Sequence, residues 1–88
     1  MGLTTIRMKL TYTNAAIRTL AKCPKALRDR IVMKIQTYAA NPAAFAKVKR
    51  LQGRDDLRMR IGDWRVVFTV DGETMTVRDV GHRSEIYE

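Results

Sequence analysis

From Leu57 to Val80 the chain runs in short β-type segments separated by turn dipeptides, and no other feature narrows the fold as far. Leu57-Arg58-Met59-Arg60-Ile61 alternates strictly and Gly62-Asp63 makes a turn. Trp64 to Val70 is rich in β-branched and aromatic residues, and Asp71-Gly72 is a hairpin signal leading into Thr74 to Val80. Three such runs joined by tight turns predict an antiparallel meander. Trp64, Val66 and Phe68 fall on one side of their strand and are expected in the core.

The first half supplies what covers that sheet. Residues 5–12 place Ile6, Met8, Leu10 and Tyr12 on one face and Thr5, Arg7, Lys9 and Thr11 on the other, a half-buried strand. Thr13 stands as N-cap to an Ala-rich helix, Asn14–Lys22. Cys23-Pro24 interrupts it, because the residue before proline is pushed out of helical geometry. Pro24 suits the first turn of a second helix, where Leu27, Ile31, Ile35 and Tyr38 make one apolar face. Its opposite face carries Lys25, Arg28 and Asp29, with Arg30 and Lys34 on the flanks, and Asn41-Pro42 ends it. Ala43 to Asp56 reads as a connector, and the residues after Gly81 as a short tail. The expected fold is α+β in one domain spanning residues 1–88. Its order is β-α-α-β-β-β, an antiparallel sheet with a helical hairpin packed on one face. The first strand is expected beside one of the meander strands.

Charge is the first pointer to function. Lysine and arginine total 17 against 9 acids, a net +8 on 88 residues, and such a field favours polyanionic partners. The excess is uneven. Residues 1–54 hold twelve bases and one acid, Asp29, a net +11, whereas residues 55–88 hold five bases and eight acids, a net −3. No apolar run approaches the roughly 20 residues of a spanning helix, and the segment Met1 to Leu10 lacks the unbroken apolar stretch of a signal peptide. A cytoplasmic location with no membrane partner is expected.

Several chemistries lack their residues. One histidine, one cysteine and unclustered carboxylates do not make a common zinc or two-metal site. No Gly-rich loop precedes a helix, and Ser84 beside His82 is too local for a catalytic triad. No metal or cofactor is expected. What remains is a set of arginines. Arg58 and Arg60, two apart on a strand, project from one face, and Arg65 lies across the Gly62-Asp63 turn. His82, Arg83 and Tyr87 follow the last strand. If the tail folds against the meander, these groups converge on a patch that binds a phosphodiester and offsets its charge during cleavage. Tyr87 would stack on an unpaired base. Alternating arginines on a half-exposed strand are otherwise most often a solvated face.

The stretches Leu51-Gln52-Gly53, Leu57-Arg58-Met59-Arg60-Ile61-Gly62-Asp63-Trp64-Arg65-Val66-Val67-Phe68 and Val80-Gly81-His82-Arg83-Ser84-Glu85-Ile86-Tyr87 resemble the RelE/ParE toxin superfamily. With the β-α-α order before them, the resemblance covers the chain. It implies a RelE-like fold and a type II toxin held inactive by a cognate antitoxin. RelE-like members enter the ribosome and cut mRNA as metal-independent endoribonucleases. In that reaction the message's own 2′-hydroxyl attacks the adjacent phosphate. ParE-like members share the scaffold and inhibit DNA gyrase instead. By the resemblance, Arg58 and Arg60 fall where the best-known RelE enzymes carry two lysines, and Arg65 falls on the family's strand arginine. Arg83 falls near the proposed general acid, with His82 as the alternative in proton transfer, and Tyr87 on the tyrosine that orients the message. Arginine hardly ever gives up its proton, so an arginine at position 60 suits charge stabilisation better than base catalysis. Lys22, Lys25, Arg28, Lys34, Lys47, Lys49 and Arg50 are expected to contact ribosomal RNA phosphates.

Overall fold

The computed structural model describes residues 8–42, 56–82 and 84, and the backbone of 48–50. Strand β1 (Lys9–Tyr12) leads into helices α1 (Asn14–Lys22) and α2 (Lys25–Ala40). Strands β2 (Val48–Arg50), β3 (Leu57–Ile61), β4 (Trp64–Asp71) and β5 (Thr74–His82) follow. The helices start and stop for local reasons. Thr13 keeps extended backbone, and its Oγ1 accepts from the Ala16 N–H at 3.2 Å. Pro24 stands one residue ahead of α2, slightly outside the first turn that the sequence suggested. Asn41 ends α2, its N–H reaching back to the carbonyls of Thr37 and Tyr38.

The strands form one sheet in the order β1-β5-β4-β3-β2. β3, β4 and β5 are the expected meander, joined by the two-residue loops Gly62–Asp63 and Gly72–Glu73. Each loop opens on a glycine at φ +60° or +61°, the left-handed geometry that a type II′ hairpin needs at its first loop residue. The α+β architecture and element order stand, and the sheet adds two features. β1 runs parallel to β5, from Lys9 opposite Thr74 to Tyr12 opposite Val77, so the sheet is mixed at that edge and not antiparallel throughout. Alternation marks which face of a strand is buried but carries no information about the direction of its neighbour. The segment read as a connector contributes β2, antiparallel to β3 on the other edge.

β5 carries one extra residue against β4. Val67 faces Asp79 while Phe68 faces Val77, leaving Arg78 as a bulge. The bulge resets the alternation, so Met75, Val77, Val80 and His82 all take the helix side. Its backbone is tied down. Thr13 Oγ1 donates to the Arg78 carbonyl at 2.7 Å, the Thr13 N–H to the Val77 carbonyl at 2.9 Å, and the Asp79 carboxylate accepts the Val80 N–H at 2.9 Å.

On the helix side, Met59, Ile61, Val66, Phe68, Met75, Val77 and Val80 meet Ala16 and Leu20 of α1 and Ile31, Ile35, Tyr38 and Ala39 of α2. Tyr38 packs edge-on against Phe68, with ring centroids 5.1 Å apart. Phe68, Ile31 and Ile35 are fully buried, and burying a side chain of that size stabilises by about 1.5–3 kcal/mol each. The other sheet face carries Arg58, Arg60, Arg65, Val67, Thr69, Thr74, Thr76 and Asp79 by register. No helix among the described residues is long and apolar enough to cross a membrane.

Candidate nucleic-acid interface

The face turned away from the helices is where the arginines gather. Arg60 and Arg65 stand directly opposite one another on β3 and β4, and Arg58 is two residues from Arg60 on the same side. Neighbouring strands lie ~4.8 Å apart, so the three arginine positions fall within one small area of this face. Arg60 is exposed, whereas Arg58 and Arg65 are half-buried, with Nη1 of Arg65 closed off from solvent. The register neighbour of Arg65 on β5 is Gly81, which adds no side chain to that face. Lys49 is the register partner of Arg58, placing a further basic position at the same rung of the sheet.

Like charges directly opposite on adjacent strands are destabilising. A fold that holds Arg60 against Arg65 is therefore one that an anion between them would relieve. Bidentate guanidinium–phosphate hydrogen bonds are the geometry such a pair offers. Among the described residues, no three His, Cys, Asp or Glu side chains gather into a metal-binding group.

His82 is not part of this patch. Register sets it opposite Trp64, on the helix side, and its ring meets Trp64 edge-on with centroids 5.7 Å apart. Adjacency in sequence to Arg83 suggested otherwise, but the bulge at Arg78 reverses the side that His82 takes. Arg83, Tyr87 and Lys47 lie outside the described residues, and of Lys49 and Arg50 only the backbone is described.

The basic residues of the helices form a separate surface across the sheet. Lys22, Lys25 and Lys34 are exposed and Arg28 is half-buried. Lys25 Nζ bonds the Asp29 carboxylate at 2.9 Å. This hydrogen bond, helped by the charges of Lys25 and Arg28, holds the Asp29 carboxyl below its usual range. Between the helices runs an apolar groove of about 410 Å³, lined by Tyr12, Ile17, Leu20, Ala21 and Val32, with Arg28 and Gln36 as its polar members. Ile17 is 51% exposed on it. Burial pushes the Tyr12 phenol up.

One basic residue that the sequence placed only on a helix flank belongs closer to the patch. Arg30 of α2 reaches the β3–β4 turn, where its Nη2 lies 3.2 Å from the point a Cβ on Gly62 would occupy. The turn glycine was the one available signal, since it leaves room for a large side chain at the end of the Arg60–Arg65 rung.

A helical hairpin packed on one face of such a sheet is shared with a known class. Residues 10–87 match the family described as the ParE toxin of the type II toxin-antitoxin system, parDE. The chain belongs to the RelE/ParE superfamily of type II toxins. Among its relatives is Toxin RelE3 of Methanocaldococcus jannaschii, 29% identical over 85 residues that cover 92% of this chain and 97% of the relative. The toxin-antitoxin complex RelBE2 from Mycobacterium tuberculosis shares the fold at a TM-score of 0.78 and 22% identity, covering 93% of this chain and 98% of the other. The RelB–RelE antitoxin-toxin complex from Methanococcus jannaschii follows at 0.70 and 26% identity, with 88% and 94% covered.

Proposed function

We propose that this toxin is a ribosome-dependent mRNA endoribonuclease, and the observation that carries the reading is the Arg60–Arg65 cross-strand pair with Arg58 beside it on the open sheet face. The 2′-hydroxyl oxygen of the message attacks the adjacent phosphorus and releases its proton to water. The P–O5′ bond breaks, the departing 5′ oxygen takes up a proton, and the products are a 2′,3′-cyclic phosphate and a 5′-hydroxyl. Negative charge builds on the non-bridging oxygens as that happens. Arg58, Arg60 and Arg65, fixed on two strands before the substrate arrives, stabilise that charge without reorganising. Guanidinium groups are poor bases, so their part is electrostatic. Arg83 and Tyr87 are proposed to complete the site as proton donor and base-stacking platform. Lys22, Lys25, Arg28, Lys34, Lys47, Lys49 and Arg50 are proposed to hold ribosomal RNA phosphates.

A cognate antitoxin is the proposed protein partner, since the solved relatives are described as toxin–antitoxin complexes. The groove between the helices suits an amphipathic segment of acidic character, because its apolar floor lies among residues of strongly positive net charge.

The test is induction in growing cells with transcript 5′ ends mapped. Arg65→Ala or Arg60→Ala should lower cleavage by roughly 100-fold, the usual loss when one preorganised donor to a developing charge is removed. Unchanged cleavage in both would sink the site. The family match to ParE toxins supports a second reading, inhibition of DNA gyrase. Under it, induction would alter DNA supercoiling and leave messages intact.

A further inference from the structure

We propose that His82 is a positioning residue that holds the chain where it leaves the sheet, and that it takes no part in proton transfer; the proposal rests on the toxin reading above. Trp64 and Ser84 both hold the imidazole. The ring meets Trp64 at an interplanar angle of 87°, an edge-to-face pair set by the register of β4 and β5. Its Nδ1 lies 3.3 Å from the Ser84 amide nitrogen, which donates to it, and 3.0 Å from the Ser84 hydroxyl.

A side-chain acceptor bonded to the backbone N–H two residues on is how asparagine and aspartate close tight turns. Here an imidazole takes that part. An amide N–H only donates, so Nδ1 must present its lone pair and the neutral ring keeps its proton on Nε2. The basic nitrogen is thus engaged by the backbone, and the ring sits on the Trp64 side of the sheet, across from Arg60 and Arg65. Both facts argue against proton transfer at the arginine patch. What the arrangement can do is set the direction of the chain at the end of β5, immediately before the segment whose sequence contains Arg83 and Tyr87. The bulge at Arg78 is what makes this possible. Without its extra residue, Gly81 and not His82 would stand on the Trp64 side.

The experiment uses the full chain with His82→Ala and His82→Asn, whose Oδ1 takes the place of Nδ1 as acceptor. Hydrogen exchange of the Ser84 amide is read by NMR, and toxicity by growth arrest together with the maximal rate of message cleavage. His82→Ala should speed Ser84 exchange by up to about tenfold, the worth of one hydrogen bond, and should reduce toxicity. His82→Asn should restore most of both. Should His82→Ala fail to fold, Ser84→Pro, which removes the donating N–H and leaves the imidazole in place, is expected to reduce toxicity in the same way. Ser84 exchange unmoved by His82→Ala would overturn the proposal, as would His82→Asn that keeps the amide protected yet is no more toxic than His82→Ala. If the wild-type chain arrests growth while messages stay whole, the nuclease reading fails, and the pattern of rescue in growth arrest still decides the role of His82.

Discussion

Arg60 and Arg65 face each other across two strands, and each would find a cheaper neighbour almost anywhere else on the sheet. On the proposed reading an anion would lie between them, next to the turn that joins their strands. Gly62 opens that turn at φ +60° with Arg30 close by, while Gly72 opens the other hairpin at φ +61° with open space around it. The two glycines therefore separate backbone strain from side-chain crowding. Gly72→Ala should cost about 1–2 kcal/mol, the penalty of a left-handed L-residue. Gly62→Ala should cost as much and also displace the Arg30 guanidinium. Urea unfolding of both variants checks the first part. The second is checked by whether Gly62→Ala alone weakens binding of the chain to RNA, and equal RNA binding by both variants would mean that Arg30 has no part in the patch.

Elements of this chain meet through small junctions, and Thr13 is the clearest. Its hydroxyl accepts from Ala16 to cap α1 and donates to the carbonyl of Arg78 in the β5 bulge, so one oxygen joins helix and sheet. Thr13→Ala removes both bonds and should destabilise by about 1–2 kcal/mol, the upper part of the range for a lost N-cap. Thr13→Ser keeps both and should lie within a few tenths of the wild type in thermal unfolding. The cap itself was legible, because a threonine ahead of an Ala-rich run has few other uses. The face shared by Arg58 and Arg60 was legible for a similar reason, since period two fixes sides. Three features were not. Val48–Arg50 is too short to show alternation, the parallel run of β1 beside β5 depends on a long-range partner, and the bulge depends on a junction 65 residues away in sequence. The Val77-to-Val80 spacing of three was the one hint of the bulge. With the bulge unread, the side of the sheet that His82 takes was not legible.

At the scale of the molecule, the positive charge is divided between two surfaces with the sheet between them. Lys22, Lys25, Arg28 and Lys34 ride on the helices, while Arg58, Arg60 and Arg65 face the other way. On the proposed reading, a single RNA strand lying along one face would leave the other untouched, whereas a ribosomal cleft would close around both. Binding to an isolated single-stranded RNA should therefore show a modest dependence on salt. Each neutralised phosphate adds about 0.7 to the slope of log K against log salt on a single strand, and three arginines bound the slope near ~2. Binding to ribosomes should be steeper by the contribution of the helix surface. Replacing Lys22 and Lys34 together with alanine should flatten the ribosome slope and raise the half-saturating ribosome concentration on the order of tenfold, while leaving the slope for free RNA where it was. Arg60→Ala should do the reverse, lowering the maximal cleavage rate and the free-RNA slope. If both substitutions moved both slopes equally, the two surfaces would be acting as one, and the division of labour between docking by the helices and chemistry on the sheet would not hold.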